Sequence, residues 1–383
     1  MARTGRLYFL DNLRTFLIFL VVLHHAGVVY ESSGLMAPFW IVDDPDTSKL
    51  TGLVNLITDI FVMPTIFFIS GFFAWSSMQR KGPRAFLESK FRRLMIPWTI
   101  AVLTLMPLYK ALFLASRGLP QESWTTYFHF SNGIFSMSWL WFLPVLFLYD
   151  LAYALLSKLD LPIRDIRVAP ATTAVFVLGF TYTVSASVFG LTGWTKTPLV
   201  DFQNERLLPY FLVFLLGSLC NRKKIFETDR KNVKLYIAVN ACVWIPINIY
   251  LITLLNYIFR PDQTLISEWA DLLLLWTGYH LAMLALLYCA VMTFKFFFSR
   301  RGRLGAALGR LSYGVYIIHI AVMGPIAMVL LRVDLPGIVK YPILTVTTYI
   351  ASNLLVLMYG TASHAFCSWR GTRRPNPSTA PGV

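Results

Sequence analysis

Charge is scarce in this 383-residue sequence: charged side chains make up 14% of it, where soluble proteins carry about 25%. Acids are scarcest, with 19 Asp and Glu against 34 Lys and Arg. At 56% hydrophobic residues and a mean hydropathy of +0.60, the chain cannot be a soluble enzyme or a disordered polymer, because neither could keep so much apolar surface from water. A net charge of +15 would suggest nucleic acid in a soluble domain; this composition excludes that partner and points to basic membrane loops. Cysteine is sparse too. Cys220, Cys242, Cys289 and Cys367 have no paired spacing, so neither a disulfide framework nor a zinc site is read, and no bound cofactor is expected. There is no internal repeat, and no connection is long enough for a soluble domain. Function is therefore expected inside the membrane region or on its rims.

What the sequence does contain is long apolar runs. A spanning helix needs about 20 mostly apolar residues, and ten segments approach this: 13–30, 52–76, 95–116, 138–156, 168–190, 207–221, 235–258, 271–294, 311–331 and 341–363, the sixth being the shortest. Basic residues alternate between the connections. Segments 77–94, 157–167, 222–234 and 295–310, with the two ends, hold 25 Lys and Arg; the other five connections hold seven. This bias places both termini in the cytoplasm. The expected fold is an all-α, polytopic bundle of about ten spans, a single unit over 1–365, with a disordered cytoplasmic tail over 366–383. The first span is not read as a cleavable signal, since it carries Arg14, His24 and His25.

Ionisable residues inside spans are costly and are functional candidates by default. At about 100° per residue, Asp11, Arg14 and His25 share one face of the first span, while His24 points about 80° away from Arg14. Asp11 and Arg14 form an i,i+3 pair. His25 lies about 16 Å from Arg14 along the axis, so one face joins a cationic inner site to an imidazole in the outer half of the membrane. Asp59, at similar depth on the second span, is the expected partner that orients His25. On the inner rim, Lys90, Arg92 and Arg93 with Arg14 form a cationic cup suited to a phosphate-rich ligand. The bland reading of that cup is positive-inside anchoring and contact with anionic membrane lipids. His280 and His319 are also intramembrane, each alone more simply read as a packed, hydrogen-bonded histidine.

Five segments give these residues a wider meaning: YFLDNLRTFLIFLVVLHH, IFFISGFF (66–73, with Ser70), FLESKFRRLMIPW (86–98), SWLWFLPVLFLYDL (138–151) and LSYGVYIIH (311–319). In this order, and with Arg14 and His25 separated by ten residues, the chain resembles acyltransferase family 3, integral membrane O-acyltransferases. Within the family it looks like the stand-alone branch that includes the glucans biosynthesis protein C type. The resemblance implies acyl transfer from cytoplasmic acyl-CoA, acetyl or succinyl, to a hydroxyl of a glycan or lipid-linked carbohydrate, at a bacterial plasma membrane. It implies a catalytic His25 and donor binding by Arg14, Lys90 and Arg93. The chain departs from the pattern at Ser138, where related chains often have His, and at Ile320, where they often have Pro. A transporter or flippase for a polar lipid or solute is the alternative, and a scaffold without chemistry a third.

Overall fold

An apolar medium offers backbone N–H and C=O groups no partners, so a spanning segment must satisfy them internally. Each of the ten expected spans is helical. The computed structural model describes residues 7–32, 40–123, 126, 137–158, 166–197, 199–227, 232–300 and 302–369, with 362–369 as backbone alone. Its helices are α1 (Tyr8–Val29), α2 (Lys49–Lys81), α3 (Pro83–Ser116), α4 (Phe142–Leu156), α5 (Val168–Val188), α6 (Asn204–Arg222), α7 (Val233–Cys242), α8 (Trp244–Phe259), α9 (Glu268–Phe297), α10 (Arg303–Leu330) and α11 (Gly337–Trp369). A 3-10 turn, Ser138–Trp141, leads into α4. A two-residue hairpin pairs β1 (Trp194–Thr195) with β2 (Phe202–Gln203). The protein is thus an all-α, multi-pass membrane bundle. Helix α11 runs four residues into the expected tail; 370–383 lie outside the described residues, as do Arg3 and Arg6.

Two of the basic connections are largely helix. Helices α2 and α3 meet at Gly82 alone, whose φ of +75° is a conformation glycine adopts without a Cβ penalty. Helix α10 begins at Arg303, eight residues before its expected start. Lys90, Arg93 and Arg310 therefore stand on ordered turns, where a positive-inside reading alone would leave them on loops.

Among the described residues nine helical stretches are long and apolar enough to cross a membrane, with α7–α8 counted as one and the turn counted with α4. Helix α6 falls short, since its 19 residues carry Glu205, Arg206 and Arg222. It nevertheless runs parallel to α2 through the bundle. The contacts advance together along both helices, from Asp59–Arg206, through Phe67–Tyr210, to Asn221 donating to Phe72 O and Ser76 Oγ. Arg206 to Asn221 is about 22 Å of helix. Small residues permit this approach: a Cβ on Gly71 would lie 1.9 Å from Phe214 O, and one on Gly217 would lie 2.0 Å from Phe68 O. Gly217→Ala therefore forces the helices apart, with an expected loss of about 1–3 kcal/mol. Tryptophan fluorescence during thermal unfolding in nanodiscs checks this; an unchanged midpoint contradicts so close a packing.

Candidate functional site

Helix α1 carries one face from rim to rim. Tyr8, Asp11, Arg14 and Ile18 line a cavity of about 380 Å³ at the basic end. Val21, His25 and Val28 line a second, of about 280 Å³, in the other half. Asp11, Arg14 and His25 of the expected face all line cavities, but His24, set about 80° off that face, lines the outer one as well. Gly27 lets α2 approach beside His25, since a Cβ there would sit 2.2 Å from the Asn55 amide. That amide, oriented to satisfy both groups, donates to the His24 carbonyl and accepts from the Val28 N–H, at 3.1 Å each.

The inner cavity gathers Arg14, Lys90, Arg93 and Arg310 with Ser70, Tyr8 and Tyr313. Arg14 donates to Gly309 O at 3.2 Å and lies 3.6 Å from Asp11, the expected i,i+3 pair. Lys90 reaches both oxygens of the fully buried Asp150, at 3.0 and 2.9 Å. The buried carboxylate on α4 thus holds a lysine of the cup in place. Arg92 does not join the cup: on the adjacent helical position it turns outward, exposed and paired with Glu88 at 2.8 Å. Arg310, counted from sequence only among the basic connections, takes its place.

In the outer half, His25 finds a different partner from the one expected. Its Nδ1 lies 2.8 Å from His319 Nε2, and His319 Nδ1 lies 2.7 Å from Tyr316 O. A carbonyl only accepts, so His319 Nδ1 carries the proton and its Nε2 is the acceptor. His25 Nδ1–H then donates to it, and His25 Nε2 keeps its lone pair. Asp59 is instead 2.6 Å from Arg206, whose guanidinium also packs against the Tyr279 ring at 5.0 Å. Equal depth did not bring Asp59 to His25. It lines the same cavity with His24, which hydrogen-bonds Thr58 at 3.0 Å. His280 reaches neither cavity. It is buried between α5 and α9, with Nδ1 2.8 Å from Trp276 O and Nε2 3.5 Å from Thr183 Oγ1.

Aromatic rings surround His25 and His319. Trp40 stacks on His25 at 5.2 Å. It arrives on the segment Trp40–Ser48, pinned by Lys340, whose Nζ reaches Asp44 at 3.1 Å and Asp46 at 2.6 Å. Trp139 donates from Nε1 to Ile317 O at 2.9 Å. Tyr316 donates from its hydroxyl to Trp139 O. The turn holding Trp139 is anchored by buried Asp201, which accepts from Met137 N at 2.7 Å and Thr197 N at 3.0 Å; burial nonetheless pushes the Asp201 carboxyl above the usual range. Trp139, Trp141, Trp194 and Gln203 complete the outer wall. Sequence reasoning placed His319 among the supporting residues, with Asp11, Ser70 and His280, without joining it to His25, and it missed Tyr316, Arg206 and Arg310. The i,i+3 spacing of Tyr316 and His319 was a usable signal; the others had none beyond residue type.

A family model described as an acyltransferase domain matches residues 7–357. The match is to the family and does not reach the glucans biosynthesis protein C branch. No curated protein and no solved structure matches the chain.

Proposed function

The chain belongs to acyltransferase family 3, and we propose that it moves an acetyl or succinyl group from cytoplasmic acyl-CoA to a hydroxyl of an extracytoplasmic carbohydrate, free or lipid-linked. The observation that carries this reading is the hydrogen-bond chain from His25 through His319 to the Tyr316 carbonyl. It sets the His25 tautomer and leaves Nε2 with its lone pair, on a residue that lines the outer cavity.

In this mechanism the CoA phosphates rest against Arg14, Arg93 and Arg310, with Lys90 held by Asp150 beside them. The pantetheine arm follows the α1 face past Ile18 toward His25. His25 Nε2 takes the proton of the acceptor hydroxyl as its oxygen bonds to the thioester carbonyl carbon. The tetrahedral adduct collapses, the C–S bond breaks, and the CoA thiolate takes the proton from His25. His319 holds the imidazole ring in one orientation throughout. The outer cavity offers tryptophan faces for the apolar side of a sugar ring and Asp59 and Gln203 for its hydroxyls. Plasma-membrane residence, O-acetylation and a role in polysaccharide modification follow from this reading.

Calorimetry tests the donor half. Acetyl-CoA and succinyl-CoA are titrated into the chain in nanodiscs, wild type beside Arg14→Ala. Loss of one charge-assisted contact is worth about 1.5–3 kcal/mol, so Kd is expected to rise about ten- to a hundredfold. No binding of either donor by folded protein overturns the proposal and returns the inner cup to plain topology.

A further inference from the structure

Tyr316 lines both cavities. It is 4% exposed, so it forms a wall and does not project as a free side chain. Two hydrogen bonds in opposite directions hold that wall to the turn before α4. The Tyr316 hydroxyl donates to Trp139 O, and Trp139 Nε1 donates to Ile317 O. Phe142, on the inner-cavity wall, packs edge-on against the Tyr316 ring at 5.6 Å. The carbonyl of the same residue sets the tautomer of His319. A single residue thus carries the wall between the compartments and the end of the histidine chain.

We propose that Tyr316 is the partition between a donor and an acceptor compartment, latched to Trp139, and that it determines whether an acyl group meets an acceptor hydroxyl or water. This rests on the acyl-transfer reading. A thioester beside a general base and open water hydrolyses, and closing the site against solvent suppresses that side reaction. With the ring in place, the thioester in the inner compartment is separated from water in the outer one. Transfer requires the ring to swing aside when donor and acceptor are both present. Without the ring, the oxygen of a water molecule bonds to the acyl carbon and the C–S bond breaks. The water proton passes through His25 to the CoA thiolate, and free carboxylic acid and CoA leave.

Two measurements on the full chain test this. In the first, CoA release from acetyl-CoA without acceptor is followed by thiol assay in nanodiscs. Tyr316→Ala is expected to raise it about tenfold. Tyr316→Phe, which keeps the ring and loses the latch, is expected to fall between that variant and wild type. Tyr316→Ala combined with His25→Ala is expected to return to the wild-type rate. In the second, Met63 on the outer-cavity wall is replaced by cysteine in a chain whose four native cysteines are serine. A membrane-impermeant maleimide is then applied to the basic face of inside-out vesicles. Labelling is expected only when Tyr316→Ala is added. Labelling with Tyr316 intact, or none after its removal, overturns the partition. Failure of wild type to bind acetyl-CoA overturns the acyl-transfer reading instead, and the labelling experiment still decides the partition by itself.

Discussion

His25→Ala lowers acyl transfer by about 10²–10⁴-fold, the span that a positioned proton acceptor contributes, while calorimetric binding of acetyl-CoA stays near wild type. The readout is radiolabel passing from acetyl-CoA to non-protein material in membranes containing the chain. The partner residues make the prediction specific to this geometry. His319→Ala frees the His25 ring to rotate and to adopt either tautomer, and it is expected to lose a large part of the rate. His319→Gln keeps an acceptor for His25 Nδ1–H in its amide oxygen and is expected to recover some of that loss. Asp59→Asn separates the two possible partners. If Asp59 oriented His25, its removal would reproduce the His319 defect. With Asp59 on Arg206 at 2.6 Å, its removal instead leaves a buried guanidinium without its anion, and the defect is lowered stability. An unimpaired rate in His25→Ala removes the histidine from the chemistry altogether.

Lys340→Met is expected to destabilise the protein by about 3–5 kcal/mol, the cost of stranding one charge of a buried pair. Lys340 and Asp44 are each 1% exposed, and Asp44 has little water to turn to once Nζ is gone. The damage should not stay local. The segment that Lys340 pins delivers Trp40 to the face of His25, so activity is expected to fall at temperatures where the fold survives. Adding Asp44→Asn to Lys340→Met removes the orphaned charge, and part of the stability is expected to return. Thermal unfolding followed by tryptophan fluorescence reads both effects. A single variant as stable as wild type would show that the triad contributes nothing to holding the segment.

Local periodicity made part of this molecule readable in advance. The α1 face with Asp11, Arg14 and His25 follows from residue spacing within one helix, and the fold preserves it. The ten helical spans, α7 and α8 together making one, follow from apolar run length, including α6, whose brevity marked it as unusual. Two kinds of information were absent. Depth in a membrane is one coordinate out of three: Asp59 matched His25 in depth but faces Arg206, and rotation about the helix axis is set by packing that no single span encodes. His25 and His319 are 294 residues apart in sequence, with no local pattern to join them. Arg92 and Arg93 show the same limit at close range, since neighbours on a helix point about 100° apart, and only one of them enters the cavity.

Helix α6 also bears on how the chain is made. A segment entering the bilayer alone must partition on its own composition, and charged residues in so short a helix weaken that partitioning. Arg206 sits in the first turn of α6, and most of what compensates it lies on other helices, Asp59 on α2 and the Tyr279 ring on α9, while the neighbouring Glu205 is met locally by Gly193 N and the Gln203 amide. Helix α2 is synthesised before α6, but α9 follows it. The insertion of α6 is therefore a matter of assembly, in which the parallel groove of α2 receives a segment that lipid alone would not hold. Its passage also sets the side on which every later loop emerges. The orientation of the C-terminal half thus depends on a helix–helix contact built around Gly71 and Gly217.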